Sequence, residues 1–177
     1  MRLALLPITM VLAAGLLAGC SSPGKQGMCP GMAALADAST IHMFRPGAAP
    51  DPSNVLYTVR IASVEGTCDI PKGAKSATAS FDVHFRATRA PNGEAAGYTV
   101  HYFVAVTQSD RVVNKQPFDV QFSFAPGAAV AEFTDTVSST VIKADKGKYP
   151  WDYEILVGLP LTEGDLAYNR TIGRFAQ

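Results

Sequence analysis

The sequence predicts an all-β protein: an antiparallel, immunoglobulin-like β-sandwich of about seven strands with a short C-terminal helix. Three observations predict it. From residue 55 onward the apolar residues recur with period two rather than 3.6, which is the pattern of half-buried strands. The links between these runs are short and turn-like, as antiparallel neighbours allow, and no helical segments are patterned in to serve parallel crossovers. The nine Phe, six Tyr and one Trp all fall at or after Phe44, so the core begins well inside the chain. A small barrel is the alternative closure of the same strands.

Each element has its own local reason. Residues 31–45 are ambiguous: residues 33–36 can form a short first strand, and residues 37–44 a single helical turn ending at Arg45-Pro46-Gly47. Residues 55–69 form one long or bent strand, with Val55, Tyr57, Val59 and Ile61 on one face and Leu56, Ala62 and Val64 on the other. The cleanest alternation follows: Ala77, Ala79, Phe81, Val83, Phe85 and Ala87 against Thr78, Ser80, Asp82, His84, Arg86 and Thr88. Pro91-Asn92-Gly93 supplies turn chemistry. Residues 98–107 are apolar on both sides and therefore read as a strand central to its sheet. Gln108-Ser109-Asp110 links tightly to residues 111–114, and Pro117 marks an edge or a bulge. Phe118, Val120, Phe122 and Phe124 alternate with polar residues up to the Pro126-Gly127 turn. Residues 128–142 are extended and residues 143–149, with three lysines, form an exposed loop. Tyr153, Ile155, Val157 and Leu159 make a last strand stopped by Pro160. Thr162, with Asp165 three residues on, is the N-cap of the final helix.

The N-terminus reads as an address. Arg2 precedes an apolar run from Leu3 to Leu17 that is interrupted by Pro7, Thr9 and Gly15, the layout of a secretory signal and too short for a comfortable membrane span. Leu17-Ala18-Gly19-Cys20 looks like a bacterial lipobox, in which Cys20 is lipidated and becomes the first mature residue. The expected organisation is a signal peptide over residues 1–19, a lipidated flexible tether over 20–30 and a β-sandwich domain over 31–177. By resemblance to other lipoproteins, Ser21 in place of an aspartate implies the periplasmic face of the outer membrane. An ordinary signal cut nearby, or an uncleaved anchor, is the competing reading.

With 15 Lys and Arg against 15 Asp and Glu, the chain lacks the broad basic field of a nucleic-acid binder, so no nucleic acid is expected as partner. If Cys20 carries lipid, Cys29 and Cys68 remain as an even pair, for which a disulfide is the default in an oxidising compartment. That bridge would close a loop of about 40 residues, contributing roughly 4 kcal/mol. A two-thiol metal or redox site is the alternative, although the spacing is unlike a CxxC. No GxSxG elbow, HExxH or phosphate-binding glycine loop occurs.

Two weak metal patterns remain. If the strands around residues 81 and 102 paired, His84 and His101 would lie nearly opposite on one wet face with Asp82 close by. His42-Met43, with Met28 and Met32 nearby, has the soft-ligand character of periplasmic copper sites. Cross-strand polar residues and core filler are the plainer readings of both, and no cofactor is expected. The C-terminal Tyr168, Asn169 and Arg170 are of types suited to a partner interface, or else serve to dock the last helix.

Several segments together resemble a family of small lipoproteins from alphaproteobacteria to which no activity attaches: Cys29-Pro30, Leu35-Ala36-Asp37-Ala38, Phe44-Arg45-Pro46-Gly47, Ile61-Ala62-Ser63-Val64-x-Gly66-x-Cys68, Tyr102-Phe103-Val104-Ala105-Val106, Tyr153-Glu154-Ile155-Leu156-Val157-Gly158 and Tyr168-Asn169-Arg170. The resemblance implies an anchored single domain with its two cysteines paired, and brings no catalytic residue or ligand with it. The functional expectation is a non-enzymatic envelope protein, held at the outer membrane by lipid on Cys20, that binds another envelope protein or a polysaccharide or serves a structural or assembly role. The alternative is a periplasmic carrier of copper or zinc.

Overall fold

The computed structural model describes residues 29–91 and 93–173. The predicted signal segment, Cys20 and most of the tether lie outside them. Eight strands form two facing four-stranded sheets. The first sheet has the order β1 (Gly31–Ala34), β8 (Glu154–Gly158), β5 (Ala96–Gln108), β6 (Arg111–Phe124). The second has the order β2 (Thr40–Phe44), β3 (Val55–Asp69), β4 (Ser76–Thr88), β7 (Val130–Lys143). Every pairing is antiparallel except β1 with β8, which is parallel. The C-terminal helix α1 spans Glu163–Ile172. The predicted immunoglobulin-like sandwich is therefore the fold the chain adopts.

The period-two pattern builds the core. In β4 the six apolar residues from Ala77 to Ala87 are all buried, and the polar residues between them stay on the wet side. Opposing them, β5 contributes Val100, Tyr102, Val104 and Val106, and β8 contributes Ile155 and Val157. Each large side chain so buried contributes roughly 1.5–3 kcal/mol. As expected, β5 lies inside its sheet, between β8 and β6. β6 runs continuously through Pro117 because it is an edge strand, where a missing N–H is tolerated. Tyr102 reaches across the sandwich and donates to Asp135 on β7 at 2.7 Å. Burial, reinforced by that bond to Asp135, raises the pKa of its hydroxyl far above the ordinary tyrosine value.

Two expectations need correction. Residues 37–44 are not a helical turn: a 3₁₀ turn at Ala36–Ala38 gives way at once to strand β2, the eighth strand. Ile41 and Met43 of β2 pair with Val59 and Tyr57 of β3, so this segment extends the second sheet. The first strand also sits slightly earlier than expected, at Gly31–Ala34. Cys29 and Cys68 form the disulfide, with their Cα atoms 5.7 Å apart. The bridge joins Cys29, two residues before β1 of the first sheet, to β3 in the second.

Candidate functional site

The wet face of the second sheet carries ordered polar ladders. Thr40, Arg60, Arg86 and Glu132 occupy paired positions on four successive strands, and His42, Thr58 and Thr88 form the next row. These residues have the opposite parity to the buried Tyr57, Val59, Phe85 and Ala87, so the same alternation that makes the core also builds this surface. Arg86 pairs with Glu132 at 2.8 Å. Arg60, directly opposite Arg86, is half-buried and has no ion-pair partner among the described residues.

Helix α1 roofs one side of this face. Its start is fixed as the sequence predicts: Asp165 N–H donates to the Thr162 hydroxyl, and Thr162 N–H donates to the Asp165 carboxylate at 2.8 Å. Tyr168 is buried, edge-on to His42 and to Phe44, each ring centroid 5.0 Å away. Burial raises its hydroxyl pKa, with the Asp51 charge adding to the effect. Asn169 donates to the Thr40 carbonyl at 2.9 Å, while its own side-chain oxygen is buried without a partner among the described residues. Between α1 and the sheet lies a cavity of about 480 Å³, lined among others by Asp37, Thr58, Arg60, Arg86, Thr88 and Arg170. Of the three C-terminal residues singled out in the sequence, Tyr168 docks the helix. Asn169 both docks it and lines the cavity. Arg170 is exposed at the cavity.

Chemically, three guanidiniums and the threonine hydroxyls lining the cavity are complementary to an anionic, hydroxyl-bearing group. Like charges directly opposite on paired strands are mildly unfavourable, by roughly 0.2–1 kcal/mol, and an anion between them would relieve that. His42 Nδ1 lies 2.9 Å from the Thr58 hydroxyl, which has the look of a base and a nucleophile. The same contact recurs at the same distance between His84 and Thr134, away from the cavity, so it is a cross-strand device of this sheet. Burial lowers the His42 pKa, and the Asp165 charge partly opposes that.

The chain matches no family model, no curated protein and no solved structure.

The metal patterns are taken apart by the topology. β4 pairs with β3 and β7, and β5 with β6 and β8, so His84 and His101 stand in different sheets. His101 pairs with Asp119 instead, and Asp82 accepts from Thr136. Consecutive residues of a strand point to opposite faces, which separates His42 from Met43. Met32 packs against the core from β1, and Met28 lies outside the described residues. Among the described residues no three His, Cys, Asp or Glu side chains are grouped to hold a metal ion.

Arg60 and Arg86 are the site residues that reading the sequence misses. Their parity places each on a wet face, but only the register between β3 and β4 makes them neighbours.

Proposed function

We propose that the protein is a lipid-anchored, non-enzymatic binding module of the bacterial envelope, held by Cys20 at the periplasmic face of the outer membrane. Its ligand site is the arginine-lined cavity beneath α1, and its ligand is an acidic segment of an envelope protein or polysaccharide. The observation that carries the binding reading is the placement of Arg60, Arg86 and Arg170 around one cavity of about 480 Å³. Among the described residues Asp37 is the one carboxylate lining that cavity, and Glu132 compensates Arg86 from the next strand. The anchor reading is supported by Leu17-Ala18-Gly19-Cys20 directly after an apolar run.

A photoreactive amino acid placed at Thr88, in the cavity, tests the binding reading in living cells. One dominant envelope adduct is expected there and none from the same group at Gln121, which is exposed on the other sheet. Equal adducts at both positions, or none at either, would overturn it. Labelling with a tagged fatty acid tests the anchor separately: the label should appear on the native chain and vanish in Cys20→Ala.

A further inference from the structure

One end of the sandwich is chemically unlike the rest. The turn between β3 and β4 and the loop between β7 and β8 meet there: Ala144 N–H donates to the Lys75 carbonyl at 2.7 Å, and Lys75 Nζ donates to the Lys148 carbonyl at 3.4 Å. On that loop Tyr149 and Trp151 are both exposed and stack flat on one another, with centroids 4.5 Å apart and planes 5° from parallel. The Lys75 ammonium lies 3.5 Å from the Tyr149 ring centroid. Lys72, Lys143, Lys146 and Lys148 are exposed on the same turn and loop, so five of the seven lysines in the chain gather at this end. Two of the acids here are engaged: Asp145 pairs with Arg111 at 2.9 Å, and the Asp152 carboxylate accepts from Tyr149 N–H at 2.8 Å. Asp69 at the end of β3, Asp110 between β5 and β6, and Glu154 at the start of β8 share the end.

The described chain also begins at this end. β1 and β8 run parallel with Gly31 opposite Glu154, so Cys29 and the Pro150–Asp152 turn that carries Trp151 lie at the same edge of the first sheet. The Cys29–Cys68 bridge fixes that entry point to β3. Cys20 is nine residues before Cys29, and nine residues reach at most roughly 30 Å however they are arranged.

We infer that this end is a membrane-docking surface, with the Tyr149–Trp151 pair seated at the headgroup level and the surrounding lysines against anionic phospholipid. The inference rests on the lipid anchor at Cys20, which presents this end of the domain to the bilayer. Aromatic rings with a polar edge are favoured at the membrane interface, and lysines extend their apolar stems there while keeping the ammonium among the headgroups. Attraction to acidic lipid adds for each lysine within reach of the surface. Docking at this end leaves α1 and the arginine-lined cavity to one side.

Trp151 is the only tryptophan, so its fluorescence reports on this surface alone. The full chain, purified from a bacterial host and reconstituted into phosphatidylcholine vesicles with or without phosphatidylglycerol, is compared in plain and brominated lipid. Flotation and intact mass report the anchor in the same samples. The expected result is quenching of Trp151 by brominated lipid and a blue-shifted emission, both greater with phosphatidylglycerol. The Lys75→Gln, Lys146→Gln, Lys148→Gln triple variant should still float but lose the dependence on phosphatidylglycerol. A chain that is acylated and floats, yet emits identically in plain and brominated lipid, overturns the docking surface and leaves the anchor standing. A chain without acyl groups that is still quenched supports the docking surface and refutes the anchor; one with neither refutes both. A change in Trp151 emission on adding soluble oligosaccharide, without lipid quenching, assigns the aromatic pair to sugar and overturns the inference.

Discussion

Arg89 follows β4 and holds two loops together with one guanidinium. It donates to the carbonyls of Ala128 at 2.9 Å, Glu94 at 2.7 Å, Gly93 at 3.2 Å and Ala125 at 3.0 Å, and it lies over the Phe124 ring at 4.4 Å. Four accepting carbonyls on two separate loops suit a planar fork with five donors, and a lysine ammonium has neither the reach nor the geometry to serve them all. Arg89→Ala should cost roughly 2–3 kcal/mol, the range expected when several carbonyls lose a charged donor that water only partly replaces. Urea denaturation measures this, and Arg89→Lys should recover only a minor part; full recovery by lysine would mean that charge alone matters there. Gly66 shows a different constraint at the same scale. It faces Phe81 across the β3–β4 ladder, and a Cβ there would clash with both the Phe81 Cβ and the Ser80 carbonyl, far inside van der Waals contact. Glycine is needed at that position for close backbone approach, and Gly66→Ala is expected to be among the most damaging single substitutions in the second sheet, as a lowered urea midpoint would show.

The helix is the element whose attachment is most open to perturbation. α1 rests on β2 through Tyr168 against His42 and Phe44, and through the bond from Asn169 to Thr40. Burial holds the His42 pKa below its ordinary 6.5, with Asp165 partly opposing the shift. A base whose pKa is lowered on folding takes up its proton more readily in the undocked state. Its contribution to docking is therefore complete above pH 6.5 and is lost as the pH falls through the folded value. Amide exchange of α1, corrected for its intrinsic pH dependence, should speed up on acidification below 6.5 while that of central β4 stays protected. Exchange in α1 that only follows the intrinsic rate would show that His42 remains accommodated when charged. The elements also differ in how far the sequence reveals them. The start of α1 is legible because Thr162 and Asp165 cap it locally, and β4 is legible because six alternations repeat. β2 is not, because of its residues only Ile41 packs against the core, Met43 on the same parity is exposed, and their partners Val59 and Tyr57 are distant in sequence.

At the scale of the whole molecule, parity is local but partnership is not. The face of each strand can be read from its own residues, which is why the sandwich and the core were predictable. Which sheet a strand joins depends on how its connections cross. The β4–β5 connection passes from one sheet to the other where Arg89 ties it to the β6–β7 loop, so His84 and His101 never meet and Arg60 and Arg86 do. The two sheets are also joined covalently. β1 has four residues, lies at an edge and pairs only with β8, so its own ladder holds it weakly; the Cys29–Cys68 bridge pins its start to β3. A bridge between residues 39 apart in sequence restricts the unfolded chain by up to roughly 4 kcal/mol. Reduction, or the Cys29→Ser, Cys68→Ser double variant, should therefore lower the urea midpoint, with a loss of unfolding free energy approaching that value. Before global unfolding, the amide of Leu35, which donates to the Val157 carbonyl at 2.8 Å, should exchange faster as β1 frays, while β5 amides keep their protection. An unchanged midpoint with unchanged Leu35 exchange would mean that β1 is held by its parallel ladder and packing alone, and that the bridge serves only to fix where the chain enters the domain.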